Sequence, residues 1–187
     1  MQQSVKVVAL CGSLRKASLN RRLIAVAQAT APAGMAIDIA EIRDLPLYDE
    51  DIEKAGLPAP VERLRGQIAG ADALLFACPE YNFSISGALK NAIDWASRPP
   101  STPLTGKPYA IMGAGGRLGA ARAQYHLRQI CGAFDMKPVF KPEVFVINAP
   151  AQFDAAGALT DETARGLIRD LVANLHAWTL RLRVAQP

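Results

Sequence analysis

Apolar residues fall along this chain in two rhythms. Short runs of almost uninterrupted apolar residues alternate with longer stretches in which apolar positions recur every three or four residues. The first run, Val5–Leu10 (VKVVAL), ends at Gly12-Ser13 and reads as a buried parallel strand leaving into a tight turn. Asn20–Ala31 carries Leu23, Ile24, Val26 and Ala27 on one side, as a helix would, and Pro32 and Gly34 stop it. Met35–Ile42 alternates apolar and polar like an edge strand. A polar loop, Asp44 to Asp51, leads to a helix over Ala59–Ala69. Ala73–Cys78 (ALLFAC) is again a buried strand, Gly87–Ser97 a helix, Pro108–Met112 a strand and Ala120–Phe134 a helix. Pro138–Ile147 is strand-like, with Pro142 arguing for a break or an edge position, and Thr160–Leu182 forms the last helix.

Strand and helix therefore alternate five times, with short connections and no linker or repeat. That order predicts one α/β domain over residues 1–187, a doubly wound parallel sheet with helices on both faces. Composition agrees: 187 residues, half of them hydrophobic and a fifth charged, suffice for a soluble globular core. The net charge of +4 comes from scattered basic residues. The densest group, Arg15, Lys16, Arg21 and Arg22, occupies one loop and the turn after it, which predicts a local anion site rather than a nucleic-acid face. Cys11, Cys78 and Cys131 lie in apolar stretches without C-x-x-C spacing and read as reduced, buried small hydrophobes. His126 and His176 stand alone and make no zinc pattern, so no metal is expected. No apolar run suits a signal peptide or a bilayer span, so the expected location is the cytoplasm, away from membranes.

Ligands of such a sheet bind beyond the carboxyl ends of the strands, where the strand order reverses. Three loops occupy those places. The loop Gly12–Leu23 (GSLRKASLNRRL) combines a sharp exit at Gly12, the hydroxyls of Ser13 and Ser18, the charge of Arg15, the amide of Asn20 and free backbone N–H groups at a helix start. These suit a phosphate, although a merely polar connection reads the same, and the loop lacks the Gly-Lys-Ser/Thr of a Walker motif. The loop from Pro79 (PEYNFSISG) offers Tyr81 and Phe83 to flank a flat ring, or to pack on neighbouring helices, with backbone N–H groups of Glu80 to Asn82 at the ring edge. The third, Gly113–Gly119 (GAGGRLG), fails the dinucleotide fingerprint because Leu118 takes its sixth place; its glycines instead let the backbone approach a flat ligand.

Taken together, GSLRKASLN, PEYN followed by SISGALKNAIDW, and the glycine loop leading into ARAQYHLRQI resemble the NADPH-dependent FMN reductase family, in particular its bacterial quinone- and chromate-reducing members, from about Val5 to Pro142. The resemblance implies a flavodoxin-like sheet of five strands in the order 2-1-3-4-5. It implies FMN as cofactor, with Ser13, Arg15, Ser18, Leu19 and Asn20 around its phosphate. Pro79, Glu80, Tyr81 and Asn82 would line the isoalloxazine and ribityl chain, and Ala114, Gly115 and Gly116 the other edge of the ring. Relatives often carry Ser at or beside Ala114; this chain has none, so only a backbone contact survives there. The implied activity is hydride transfer from NADPH or NADH, through the flavin, to a small-molecule acceptor: a quinone, free flavin, azo compound or metal oxyanion such as chromate. Arg15 or Arg117 would meet the 2′-phosphate of NADPH. A homodimer or homotetramer is implied, with Trp95, Arg98, Tyr125, His126 and Arg128 as interface candidates. The competing readings are a flavodoxin-like electron carrier without NAD(P)H activity, for which the basic charge is a poor fit, and a phosphate-binding module without flavin.

Overall fold

The computed structural model describes residues 4–184. Strands β1 (Val5–Cys11), β2 (Met35–Ala40), β3 (Ala73–Ala77), β4 (Pro108–Ala114), β5 (Lys137–Pro138) and β6 (Val144–Val146) form one sheet in the order β2-β1-β3-β4-β5, with β6 also on β4. Every pairing is parallel. The expected order holds, but the fifth place is filled by two fragments. Pro108 and Tyr109 pair with β5, and Met112 to Ala114 with β6. Pro142, with no N–H to give a ladder, stands in the gap between the two fragments, so the single strand expected over Pro138–Ile147 is interrupted there.

Helices α1 (Leu19–Ala29), α2 (Glu50–Ala55), α3 (Ala59–Ala69), α4 (Gly87–Ala96), α5 (Ala121–Gly132) and α6 (Glu162–Val184) connect or follow the strands, and a 3-10 turn covers Ala149–Gln152. The two-residue period of the strands divides the core. Val5, Val7, Ala9, Leu75, Ala77, Ala110 and Met112 point to one face, where α1 and α6 bring Leu23, Ile24, Ile168, Leu171 and Leu175. Val8, Leu10, Leu74, Phe76 and Ile111 point to the other, against Leu64, Ile68, Leu89, Ile93 and Leu127 of α3, α4 and α5. Burial on both faces explains why β3 (ALLFA) contains no polar residue. Each fully covered Leu, Ile or Phe contributes roughly 1.5–3 kcal/mol against exposure. Helix α2 lies in what reads as loop, because its sequence EDIEKA buries nothing. The Asp49 cap, an acidic first turn and the Lys54–Glu50 pair at 3.1 Å support it instead.

Trp95 is fully buried on α4, its indole N–H donating to the Pro46 carbonyl at 2.8 Å and its ring edge-on to Tyr48. It is therefore a core residue, neither the interface candidate nor the helix-surface residue that the sequence offered. Its helical period already places it beside Ala92 and Ala96, which also face the sheet. Arg98, beside it, donates to the Asp94 carbonyl and covers the Tyr48 ring.

Because β1, β3 and β4 are neighbours, the loops leaving their carboxyl ends lie side by side.

Candidate active site

The first loop is shaped by its helix cap. Ser18 is the N-cap of α1, its hydroxyl accepting from the Arg21 N–H at 3.2 Å. The N–H groups of Leu19 and Asn20, in the first turn, have no acceptor within the helix and face outward at its positive end. Ser13 is buried beside them and Arg15 is exposed at the rim. Ser13, Arg15, Ser18 and these N–H groups lie together as the sequence pattern predicts, with one exception. The Asn20 side chain is not free for a ligand: its Nδ2 donates to the Ala114 carbonyl and its Oδ1 accepts from the Ala114 N–H, both at 3.0 Å and both buried. Asn20 instead ties the first loop to the end of β4, a contact across 94 positions of sequence.

The second loop is held at both ends. Ser86 caps α4 by accepting from the Leu89 N–H at 3.2 Å and donates to the Gly12 carbonyl at 2.6 Å. Gly12 fits there because a Cβ would lie 2.7 Å from Pro79 Cδ. Glu80 turns its carboxylate away from the cleft to accept from Arg122 Nε at 2.6 Å and from the Arg122 N–H at 3.2 Å, serving α5 as a cap that Ala120 cannot supply. Between these anchors Tyr81 and Ser84 exchange N–H···O bonds at 3.0 Å, and Asn82 and Phe83 both adopt positive φ, a tight primed turn. Tyr81 reaches the cleft. Phe83 does not: Arg122 stacks over its ring at 3.8 Å. The Tyr81 N–H, expected at a ligand edge, is consumed by the turn.

In the third loop most glycines serve the chain rather than a ligand. A Cβ at Gly113 would lie 2.6 Å from the Cys78 carbonyl oxygen, at Gly115 2.9 Å from the Ala120 nitrogen, and at Gly119 2.6 Å from the Phe145 carbonyl carbon. Gly116 alone of the loop meets nothing within 4 Å. The Ala114 and Gly115 N–H groups are already donated, to Asn20 and to the Val146 carbonyl, so the expected backbone contact narrows to Gly116. The segment after β6 closes this side, with the Ala149 and Asn148 N–H groups donating to the Gly115 and Gly116 carbonyls at 2.9 Å.

These anchors enclose a cleft of about 250 Å³ lined by Ser13, Arg15, Ser18, Leu19, Asn20, Pro79, Glu80, Tyr81, Ala114, Gly115 and Gly116. Every residue that the resemblance assigns to the cofactor is present except Asn82, which occupies the exposed turn. Ala149 and Pro150 complete the wall; they lie beyond the recognisable motifs, and nothing in their sequence context marks them. Across Arg15 and Tyr81 the cleft adjoins a second hollow of about 490 Å³ beside Gly12, Leu14 and the start of α4. Together they offer a basic, amide-lined end for a phosphate and a flatter end of Pro79, Tyr81, Gly116 and Pro150 for a ring.

Neither Cys78 nor Cys131 is a nucleophile: burial pushes both thiols up to about 12. Among the described residues no three His, Cys, Asp or Glu side chains gather as a metal site, and no helix is long and apolar enough to cross a membrane.

A family model described as NADPH-dependent FMN reductase matches residues 5–151. An NAD(P)H-dependent FMN reductase of Pseudomonas aeruginosa is 52% identical over 98% of this chain and 100% of its own length. An NADPH:quinone oxidoreductase of Arabidopsis thaliana is 46% identical over 96% of this chain and 94% of its own. Among solved structures, the flavoenzyme FerB of Paracoccus denitrificans, an NAD(P)H:(acceptor) oxidoreductase, superposes with a TM-score of 0.84 at 35% identity, covering 95% of this chain and 98% of that one.

Proposed function

The chain belongs to the NADPH-dependent FMN reductase family, and on that premise we propose that its loop cleft holds FMN and serves NAD(P)H-dependent reduction of a small molecule. A quinone or free flavin is the acceptor class that the relatives' names suggest, and an azo compound or chromate is a further candidate. The observation that carries this reading is the convergence of the three loops on one cleft with a phosphate-binding end and a flat end.

The residues fit FMN. The unpartnered N–H groups of Leu19 and Asn20, the Ser13 hydroxyl and Arg15 suit a phosphate monoester. The open space at Gly116, between Tyr81 and Pro150, suits the ring. FMN held there would supply the two-electron redox chemistry that links NAD(P)H to the acceptor. The protein binds, orients and shields. Glu80 holds α5 and thereby the floor of the second loop, and Asn20 holds the first and third loops at a fixed spacing. With the Tyr81 N–H committed to the turn and Asn82 outside the cleft, the Glu80 N–H would be this loop's donor to negative charge at the ring edge. An electron carrier or a flavin-free module is disfavoured by membership of a reductase family.

The same reading includes a homodimer or homotetramer. Tyr125, Phe140 and Ile147 are each about half exposed or more, at 49%, 63% and 50%, and the Tyr125 ring lies 6.2 Å from Phe145. An aromatic surface of this kind is suited to a second copy.

The test is FMN titration followed by flavin fluorescence. Ser13→Ala and Arg15→Ala should each weaken binding by about tenfold or more, the worth of one hydrogen bond to a charged group. Unchanged affinity in both variants would remove FMN from this cleft.

A further inference from the structure

The sheet ends at β5, and part of α6 lies along that open edge. Asn174, Ala177, Trp178 and Arg181 recur at i, i+3, i+4 and i+7, which sets them in one stripe of the helix. It is not the stripe that meets the core, where Leu171, Val172, Leu175 and Thr179 are buried. The second stripe stands beside Pro138, Val139 and Phe140, and the two enclose a hollow of about 550 Å³. The small side chain of Ala177 leaves that space between larger neighbours. The volume falls in the range of roughly 300–1,000 Å³ that small-molecule pockets occupy. The hollow shares no residue with the cleft assigned to the flavin.

Its walls are fixed. Asn174 Nδ2 donates to the Lys141 carbonyl at 3.0 Å and ties the helix to the chain after β5. Arg128 lies over the Phe140 ring at 5.3 Å, so this exposed ring, also offered to a second copy, is held as a rim. The lining is mainly apolar, with an aromatic ring from the strand edge and another from the helix. Its polar groups are unevenly satisfied. Lys137 is matched by Asp135 at 2.7 Å, whereas Arg181 has no ion-pair partner among the described residues. The Trp178 indole N–H is buried and has no acceptor among the described residues, an unfavourable state that a ligand oxygen would relieve.

We propose that this groove is a second binding site, separate from the flavin cleft, for a flat aromatic molecule bearing one anionic oxygen group. The ring packs on Phe140 and Trp178, and the carboxylate or sulfonate meets Arg181 and the indole N–H. Two aromatic walls favour a flat ring over an aliphatic chain, and the unmatched guanidinium favours an anion over a neutral or cationic analogue.

The experiment is calorimetry on the FMN-loaded protein with two probes of one shape, 2-naphthoate and the uncharged 2-naphthamide. Wild type should bind the carboxylate once per chain and about three- to fivefold more tightly than the amide, a difference that shrinks as salt rises. Arg181→Gln should remove that difference while amide binding persists. Trp178→Phe keeps a ring but loses the donor and should weaken carboxylate binding by about fivefold. Ala177→Arg should fill the hollow and abolish binding of both probes, with FMN retention and NADPH oxidation within about twofold of wild type. Absence of binding to wild type, or equal affinity for the two probes, would overturn the proposal. Binding that survives Ala177→Arg and is displaced by NADPH would put the probe at the flavin instead. If Ala177→Arg turns an assembly into monomers by light scattering, a second copy covers the groove and the small-molecule site is ruled out.

Discussion

Asn20 shows what a single side chain contributes to this site. Its amide satisfies both backbone groups of Ala114 in a buried setting. Asn20→Ala leaves an N–H and a carbonyl unpaired, each costing about 1–3 kcal/mol. The variant should melt several degrees lower and bind FMN more weakly, as differential scanning calorimetry and flavin titration would show; a wild-type melting curve would mean that the clamp carries no energy. The glycines make a paired prediction. Gly113→Ala forces a methyl to 2.6 Å from the Cys78 carbonyl and should destabilise the fold, whereas Gly116→Val enters open space and should leave the melt intact while weakening FMN binding. The residue types around the cleft were legible through the three motifs taken together, since the first loop alone reads equally well as a polar connection. The roles of Asn20 and of the glycine loop were not, since the Asn20 partner is 94 residues away and a clash exists only once the chain is folded.

The buried thiols of Cys78 and Cys131 give a pH prediction. Their folded pKa values are raised from a usual value of 9.0 to about 12. The stabilisation is therefore complete below pH 9 and declines as pH rises toward 12, because the unfolded chain ionises first. Urea midpoints should fall over that window, and Cys78→Ala should flatten part of the slope; an identical slope in the variant would contradict the assignment.

Among the elements, the loop from Pro79 to Ser86 and helix α5 act as one unit through Glu80. Glu80→Gln removes the charge facing the α5 N-terminus and Arg122, a loss of about 1 kcal/mol for a largely buried carboxylate with a half-exposed partner. Amide hydrogen exchange in the first turn of α5 should quicken, and FMN affinity should fall with it; unchanged exchange there would separate the helix from the loop. Helices with an apolar stripe, and strands buried on both faces, were legible from period alone. Helix α2 was not, because caps and charge pairs hold it without any buried residue. The divided fifth strand was half legible: Pro142 announced a break, but the attachment of both fragments to β4 depends on the sheet.

On the scale of the whole molecule, the alternation of elements led to the doubly wound sheet, and the motif resemblance led to its strand order. Adjacency of β1, β3 and β4 then places three loops that are far apart in sequence around one cleft. Oligomerisation belongs to this scale too. Tyr125→Arg together with Phe140→Arg should shift the protein toward monomer by light scattering without lowering its melting point, and a retained assembly would place the interface elsewhere. The central claim is that the three loops bind FMN and admit NAD(P)H, and the visible absorption spectrum under anaerobic conditions tests it most directly. With FMN added, the protein should retain a flavin spectrum after gel filtration, and stoichiometric NADPH should bleach it rapidly. A protein that retains no flavin, or a bound flavin that stays oxidised with NADPH and NADH alike, would contradict the account.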